Sequence, residues 1–417
     1  MAAAATGACR WARTVRVGAF RGRAETDGRG AVSWTLELVR EELAKLTRAR
    51  MLPALVLLCL ALNAALIFGH LWLRPALMEV AAVAEVAGVQ VDDMFIAVLA
   101  ARPEREESRR LLASVEQMDA GSIFEHAEKS ASHEAEIADT DIAAACLSAK
   151  YDAWLERASR VSQTGATSDV YAGAVTRDAH DMIFGTLVPA LVIEASLVGV
   201  ACVWYLADLD VRTGARSVVL ATACGRPAAK PRLAASLIGM LGTYAALAAV
   251  TLVAVAFALG WGVGPAWGSS VSSVFNGAVW GSSVRPFIPW ADFSVATYLY
   301  ASLALGAVVA AGFALMAHAL LLACGMRATW SAVTFATCAL APLLLCKFCT
   351  VRGLSTAAAL FSACPAMLLR LASQWFTDLG FYGLTPWWET VSAVLAVCVW
   401  ALIAHVAFRL WIRRDVG

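Results

Sequence analysis

Residues 208–233 read DLDVRTGARSVVLATACGRPAAKPRL and separate two long apolar segments of the chain. This stretch carries two acids and five cations: Asp208, Asp210, Arg212, Arg216, Arg226, Lys230 and Arg232. A short loop this rich in Lys and Arg stays on the cytoplasmic side of a bacterial-type membrane. Its apolar run, residues 217–223, predicts a short helix lying along the membrane surface. Two interpretations stay open, a docking surface for a soluble partner and an ordinary cytoplasmic loop.

The composition indicates an all-α polytopic membrane protein. Of the 417 residues 60% are hydrophobic and only 16% are charged, and the mean hydropathy is +0.68. A soluble core does not need so large an apolar fraction. The net charge of +1 gives no bulk attraction to nucleic acid, so no nucleic-acid partner is expected.

Six segments are apolar enough and long enough to cross a hydrocarbon layer, which takes about 20 residues in a helix. They are predicted near residues 52–73, 183–206, 234–260, 298–322, 329–348 and 389–412. The segments predicted to lie inside hold 19 of the 33 Lys and Arg residues, although they are much shorter than the outer segments. The positive-inside rule therefore places both termini in the cytoplasm of a bacterial cell, with the chain in its plasma membrane.

The chain divides at changes of composition into six predicted regions. They are a disordered basic tail (1–34), an amphipathic helix at the inner surface (35–50), span one (51–73), an extracellular helical domain (74–182), a five-span core (183–412) with a cytoplasmic loop (207–233), and a short cytoplasmic tail (413–417). The amphipathic helix is predicted from Leu36, Val39, Leu43 and Leu46 at helical spacing.

Two segments on the predicted outer side are informative. Residues 74–181 hold 20 acids and 10 cations, and their composition predicts two or three helices standing on the membrane. This domain is interpreted either as a cap bracing spans one and two or as a surface for a cationic substrate or an outer partner. Residues 354–371 are apolar but interrupted by Cys364-Pro365, which predicts a re-entrant or interfacial segment before span six.

Several catalytic signatures are missing from the sequence. There is no GxxxxGK[ST] phosphate-binding loop, so the chain is not expected to hydrolyse ATP. There is no HExxH or GxSxG motif, and the chain is predicted to be a non-enzyme without its own cofactor. The CxxC pair Cys346 and Cys349 has no His or second CxxC pair nearby, so no metal site is expected.

The order of these features resembles the type-2 ATP-binding-cassette (ABC) exporter permeases. The likeness covers roughly residues 35–412 and rests on an amphipathic helix, one span, a large outer domain, a second span, a basic loop and four further spans. In the loop, members typically have an acid, a Thr-Gly pair, an apolar run, a Gly-Arg pair and a Lys. The matching positions are Asp208 or Asp210, Thr213, Gly214, residues 217–223, Gly225, Arg226 and Lys230. Pro231 departs from the pattern and is expected to shorten the helix leading into span three.

The resemblance implies a permease subunit that forms the substrate pathway of an exporter as a homo- or heterodimer. A separate ATPase subunit, holding ATP and Mg, would dock on Thr213, Gly214, Gly225, Arg226 and Lys230. Two other classes stay open: a membrane-anchored sensor or accessory protein with an acidic outer domain, and an ion-coupled secondary transporter.

Two polar residues lie at matching depths in the apolar segments. Glu194 in span two is about 16 Å from its outer end, and Asn63 in span one is about 14 Å deep, at 1.5 Å per residue. A carboxylate in hydrocarbon is costly, so Glu194 is expected to face protein and to bond Asn63. The contact is predicted between spans one and two or across a dimer, with a structural or a transport role.

The predicted topology is testable by labelling. A cysteine replacing Ser130, in a chain whose native reactive thiols are removed, should react with a membrane-impermeant maleimide on intact cells, because residues 74–181 are predicted outside. Labelling only after lysis would reverse the orientation.

Overall fold

A computed structural model describes residues 28–413 apart from 89–91, 107, 110–111, 114–121, 137, 164–173, 215–216, 218, 220–224, 261–266 and 277–285. The described chain is helical, without a named β-strand, which confirms the all-α prediction. Six helices are long and apolar enough to cross a membrane. Helices are the expected solution, because each satisfies its own backbone hydrogen bonds in hydrocarbon. The protein is thus a multi-pass membrane protein.

The six spans begin and end close to the predicted positions. Their helices are Met51–Phe68, Val188–Arg212, Ala229–Leu259, Val295–Ala323, Ala328–Val351 and Trp388–Arg413. Span two is extended at its start by a π-helical turn, Met182–Leu187. Pro189 lies two residues after Leu187, and because proline has no N–H group, the turn before it cannot keep the normal α-helical bonding.

Span four lies at the centre of the bundle and span five at its edge. The most apolar window of span four is 78% buried, whereas that of span five is 11% buried. Glycines permit this close packing, because a Cβ atom at Gly306 would lie 2.4 Å from Val192 Cγ2 and 2.8 Å from the Tyr244 hydroxyl. Tyr244 in span three also donates to the Leu303 carbonyl of span four at 3.1 Å. Spans two, three and four therefore close on one another at this level.

Several predicted boundaries were wrong. The amphipathic helix begins at Gly28, inside the segment predicted as a disordered tail, and ends at Thr47; residues 1–27 lie outside the described part. Span two runs on to Arg212 and span three starts at Ala229, so the connecting loop is 213–228 rather than 207–233. Pro231 does not shorten span three, because it lies in the first helical turn, where its missing N–H has no partner to lose.

The domain inserted between spans one and two (the inserted domain, residues 74–181) contains more helices than the two or three predicted. Its described helices are Arg74–Ala87, Asp93–Ala100, Ser122–Glu136, Asp141–Gln163 and Ala174–Asp181. Two short helices, Ser355–Ser362 and Pro365–Arg370, occupy the segment predicted to be re-entrant, and neither is long enough to cross. We call the end of the bundle that carries the inserted domain the domain end, and the opposite end, with loop 213–228, the loop end.

The helix Asp141–Gln163 (the clamp helix) fastens two loops at the domain end. The Lys150 side chain is 0% exposed and donates to the carbonyls of Asp378, Gly380 and Gly383 at 3.2, 2.6 and 2.8 Å. Trp154, one turn later, donates from Nε1 to the Ile288 carbonyl at 3.2 Å. The clamp helix therefore joins the loops that precede spans four and six.

Two further polar contacts strengthen this attachment. Arg157 donates to the Pro289 carbonyl at 3.2 Å and forms an ion pair with Asp292, a hydrogen bond that lowers the pKa of this carboxyl. Asp139 accepts from the Thr356 amide at 3.0 Å, and its bonds to the Thr356 side chain hold its pKa below the usual value. The inserted domain thus braces more of the core than spans one and two alone.

The loop held by Lys150 contains strained backbone. Phe376, Leu379 and Trp387 have φ angles of 64, 53 and 59°, in the left-handed region that non-glycine residues rarely adopt. Such conformations persist only where the surrounding contacts hold them in place. The bonds from Lys150 to the Asp378 and Gly380 carbonyls provide that constraint on either side of Leu379.

Replacing Lys150 with Met should loosen the clamp helix, because three buried carbonyls lose their donor at a cost of roughly 2–4 kcal/mol. Hydrogen exchange should become faster in the clamp helix and in residues 376–383, with spans two to four unchanged. Lys129→Met, at an exposed position of the helix Ser122–Glu136, is the matched control for loss of a lysine and should leave exchange in residues 376–383 unaltered. Equal protection in both variants would remove the assigned role of Lys150.

Candidate functional site

A polar cluster inside the membrane joins the first three spans. Asn63 Nδ2 donates to Glu194 Oε2 at 3.0 Å and to Thr251 Oγ1 at 3.1 Å. The three residues lie on spans one, two and three and are 2%, 3% and 2% exposed. The predicted contact between Asn63 and Glu194 is therefore present, and it forms within one chain rather than across a dimer.

The cluster retains unused acceptor capacity. Glu194 Oε1 and Asn63 Oδ1 are both buried and have no hydrogen-bond partner among the described residues. No described Lys, Arg or His forms an ion pair with Glu194, so no fixed cation balances this carboxyl group. A carboxyl group in this setting can hold a proton or meet a polar ligand, which makes the cluster the strongest candidate site within the spans.

Thr251 was not predicted from the sequence. A threonine in a transmembrane helix commonly bonds back to the carbonyl of residue i−4, as Thr243 bonds to Gly239 at 2.8 Å. The sequence gives one indication that Thr251 belongs to the cluster, which is its depth in the membrane. Thr251 lies about 12 Å from the last residue of span three, close to the level assigned to Asn63.

A second polar group lies at the loop end. Arg232 Nη2 donates to Asp210 Oδ2 at 2.6 Å, and its Nε lies 3.5 Å from Glu42 Oε1. Lys45 also contacts Glu42 Oε1, at 2.6 Å. Arg232 is in the first turn of span three, Asp210 in the last turn of span two, and Glu42 in the amphipathic helix. These three elements are therefore tied together by charge.

Arg232 and Asp210 are largely buried, with side-chain exposures of 11% and 16%, and Glu42 has 6%. Breaking a buried ion pair on one side leaves an uncompensated charge and is strongly destabilising. The amphipathic helix also packs Leu46 against Val198, Cys202 and Leu206 of span two. Charge and apolar contact together make the amphipathic helix, span two and span three one mechanical unit.

The predicted docking residues fall into two groups at this end. Thr213 and Gly214 are exposed and end span two; the Thr213 hydroxyl donates to the Leu209 carbonyl at 2.9 Å, and Gly214 has φ +68°, the usual conformation after a helix. Gly225 is buried. The structure does not bring all five residues onto one free surface.

Arg226 and Lys230 both contact the last span, although Lys230 remains exposed. Arg226 Nη1 donates to the Ile412 carbonyl at 2.7 Å, and the Lys230 ammonium lies 4.7 Å from the centre of the Phe408 ring. The Arg226 bond thus lies in the last turn of span six, where the helix dipole is negative, and Lys230 forms a cation–π contact about one turn earlier. Sequence spacing could not reveal this contact, because the partners are 186 residues apart in the chain.

Comparisons with known proteins give no further guide to the site: no family model, no curated protein and no solved structure matches the chain.

Substitutions at Glu194 should separate hydrogen bonding from charge. Glu194→Gln keeps an acceptor for Asn63 and should preserve the melting temperature in detergent. Glu194→Leu removes that acceptor and should cost roughly 0.5–2 kcal/mol of stability, the range measured for hydrogen bonds between membrane helices.

Ser196→Ala on the same span provides a matched control, because Ser196 is buried and, within the part of the chain that the structure describes, bonds only to the Val192 carbonyl of its own helix. The Glu194→Leu and Asn63→Leu changes should be non-additive in a double-mutant cycle. Additive effects would show that the two residues do not stabilise the fold through their mutual contact.

Proposed function

We propose that this chain is the permease subunit of an ATP-driven exporter and that a separate ATPase subunit docks at its loop end. The observation that carries the proposal is the position of Arg232, which joins Asp210 of span two to Glu42 of the amphipathic helix. Loop 213–228 connects the two spans that meet at this ion pair. A push on the loop would therefore move spans two and three together, as rigid-body transport cycles require.

The sequence supplies two further supports. It lacks a phosphate-binding loop, so ATP and Mg would reside on the partner. It also resembles type-2 exporter permeases in the order of its spans and in the loop motif, and outward transport follows from that resemblance. Because spans two, three and four close on one another around Gly306, the substrate would pass between two permease subunits and not through one bundle.

One observation favours a second candidate, an ion-coupled secondary transporter. Glu194 is a buried carboxyl group with one oxygen that has no partner among the described residues, the kind of group found in proton and cation pathways. The two candidates differ in their energy source. Transport that stops on ATP depletion while the ion gradient is maintained supports the exporter, and transport that follows the gradient alone supports the second candidate.

Charge reversal in the loop tests the docking surface. Arg226→Glu should weaken co-purification of the ATPase by about tenfold or more, because it removes a cation and adds a repulsive charge. Arg226 also bonds to Ile412, so a second variant, Ser217→Glu, adds charge at an exposed loop position that has no such bond to the described residues.

Arg413→Glu is the matched control, since it reverses an exposed cation at the same end but outside the loop. It should retain the partner, and all three variants should insert normally into the membrane. Unchanged co-purification in both loop variants would leave loop 213–228 as an ordinary cytoplasmic loop.

A further inference from the structure

The buried face of span one is a single row of three residues. Cys59, Asn63 and Ile67 are its buried residues, and they follow one another at intervals of four positions, on one side of the helix. Only 17% of the most apolar window of this span is buried. Asn63 is the polar member at the centre of the row, and its side chain supplies the hydrogen bonds by which the row meets spans two and three.

Both hydrogens of the Asn63 amide group are already used. One bonds to Glu194 Oε2 at 3.0 Å and the other to Thr251 Oγ1 at 3.1 Å, so the amide nitrogen faces the carboxyl group. One oxygen remains on each group, Glu194 Oε1 and Asn63 Oδ1, and each is buried without a hydrogen-bond partner in the described part of the chain. Burying a polar atom without a partner costs free energy, so both oxygens need a donor.

One proton can satisfy both oxygens. An ionised carboxylate only accepts hydrogen bonds, whereas a protonated carboxylic acid has one O–H donor. A proton on Glu194 Oε1 can be donated to Asn63 Oδ1 while Asn63 Nδ2 continues to donate to Glu194 Oε2. The acid and the amide are then joined by two hydrogen bonds of opposite direction in one ring. The same proton removes a charge that is costly inside the membrane.

The surroundings of this carboxyl group offer no fixed positive charge. Spans three and four have no ionisable residue within five positions of Thr251 and Gly306, and span one has only the Cys59 thiol within five positions of Asn63. Two other elements touch span two and carry charge. Arg370, on the short helix Pro365–Arg370, is exposed and forms no ion pair with span two in the described structure, and Glu42 belongs to the ion pairs at the loop end.

We propose that Glu194 is a proton-binding site, protonated at neutral pH and joined to Asn63 by two hydrogen bonds. Release of the proton to water breaks the bond from Oε1 to Oδ1 and leaves a charge between spans one and two. The bound proton therefore holds span one, which runs from the amphipathic helix to the inserted domain, against the bundle. This site belongs to the chain itself and does not rest on the docking of an ATPase.

Infrared difference spectroscopy in nanodiscs tests the protonation state. The wild-type spectrum minus that of Glu194→Gln at pH 7 should contain the C=O stretching band of one protonated carboxylic acid. Asn63→Leu, referenced to the Asn63→Leu/Glu194→Gln chain, should move this band to higher frequency, because the carbonyl of the acid loses its hydrogen bond. A titration of the wild-type chain alone from pH 5 to pH 10 records the band without any substitution at Glu194.

Glu389→Gln is the matched control for the infrared experiment. Glu389 is also fully buried and has one oxygen with no partner among the described residues, but it lies on span six. Its replacement should leave the band that responds to Asn63→Leu unchanged. The same measurement in sodium chloride and in choline chloride should give equal bands, because the site holds a proton and not a metal cation.

The pH dependence of stability provides an independent test. Relative to Glu194→Gln, the folded-to-unfolded ratio of the wild type should fall about tenfold per pH unit from pH 5 to pH 7, because the folded chain keeps a proton that an unfolded glutamate releases above about pH 4. The Gln side chain can form the same two bonds to Asn63 without titrating. Ser196→Ala should show the wild-type pH dependence.

Four results would overturn the proposal: no protonated-acid band from Glu194 at pH 7, a band that does not respond to Asn63→Leu, equal pH dependence in the wild type and Glu194→Gln, or loss of the band in sodium chloride. The last result would favour a metal-cation site instead. None of these measurements uses an ATPase or a substrate, so their outcome is separate from that of the co-purification experiments on the loop variants.

Discussion

The Glu194 carboxyl group imposes the constraint on which the first half of the bundle depends. A carboxyl group in hydrocarbon must find polar partners inside the protein, and here Asn63 supplies one. Asn63 also donates to Thr251, so the need of Glu194 for a polar partner holds spans one, two and three at a common depth. Apolar packing could accommodate helices that slide past one another, whereas these two bonds define one register.

Buried polar side chains also join separate elements at both ends of the molecule. At the loop end, Arg232 ties the amphipathic helix to spans two and three. At the domain end, Lys150 holds the loop before span six. The two ties connect different sets of elements: the amphipathic helix with spans two and three at the loop end, and the clamp helix with the loops that precede spans four and six at the domain end.

The sequence predicted the spans and the depth of Asn63 and Glu194 because both follow from hydrocarbon thickness and helical rise. The C-terminal end of span two was missed because the helix continues through Asp208 and Asp210 after the apolar residues stop. The partners of Lys150 and Arg226 were not predictable, since they are backbone carbonyls 228 and 186 positions away. A backbone carbonyl is the same group in every residue, so the sequence does not show which carbonyl a cation will contact. Only the tertiary fold brings these carbonyls to Lys150 and Arg226.

The central claim is that this chain works with a separate ATPase. Native mass spectrometry of the complex, extracted from its own membrane through an affinity tag on the chain, tests it most directly. We expect two copies of the chain bound to two copies of a subunit whose sequence contains GxxxxGK[ST]. Recovery of the intact chain, alone or as a dimer, without any stoichiometric subunit of that kind would contradict the account.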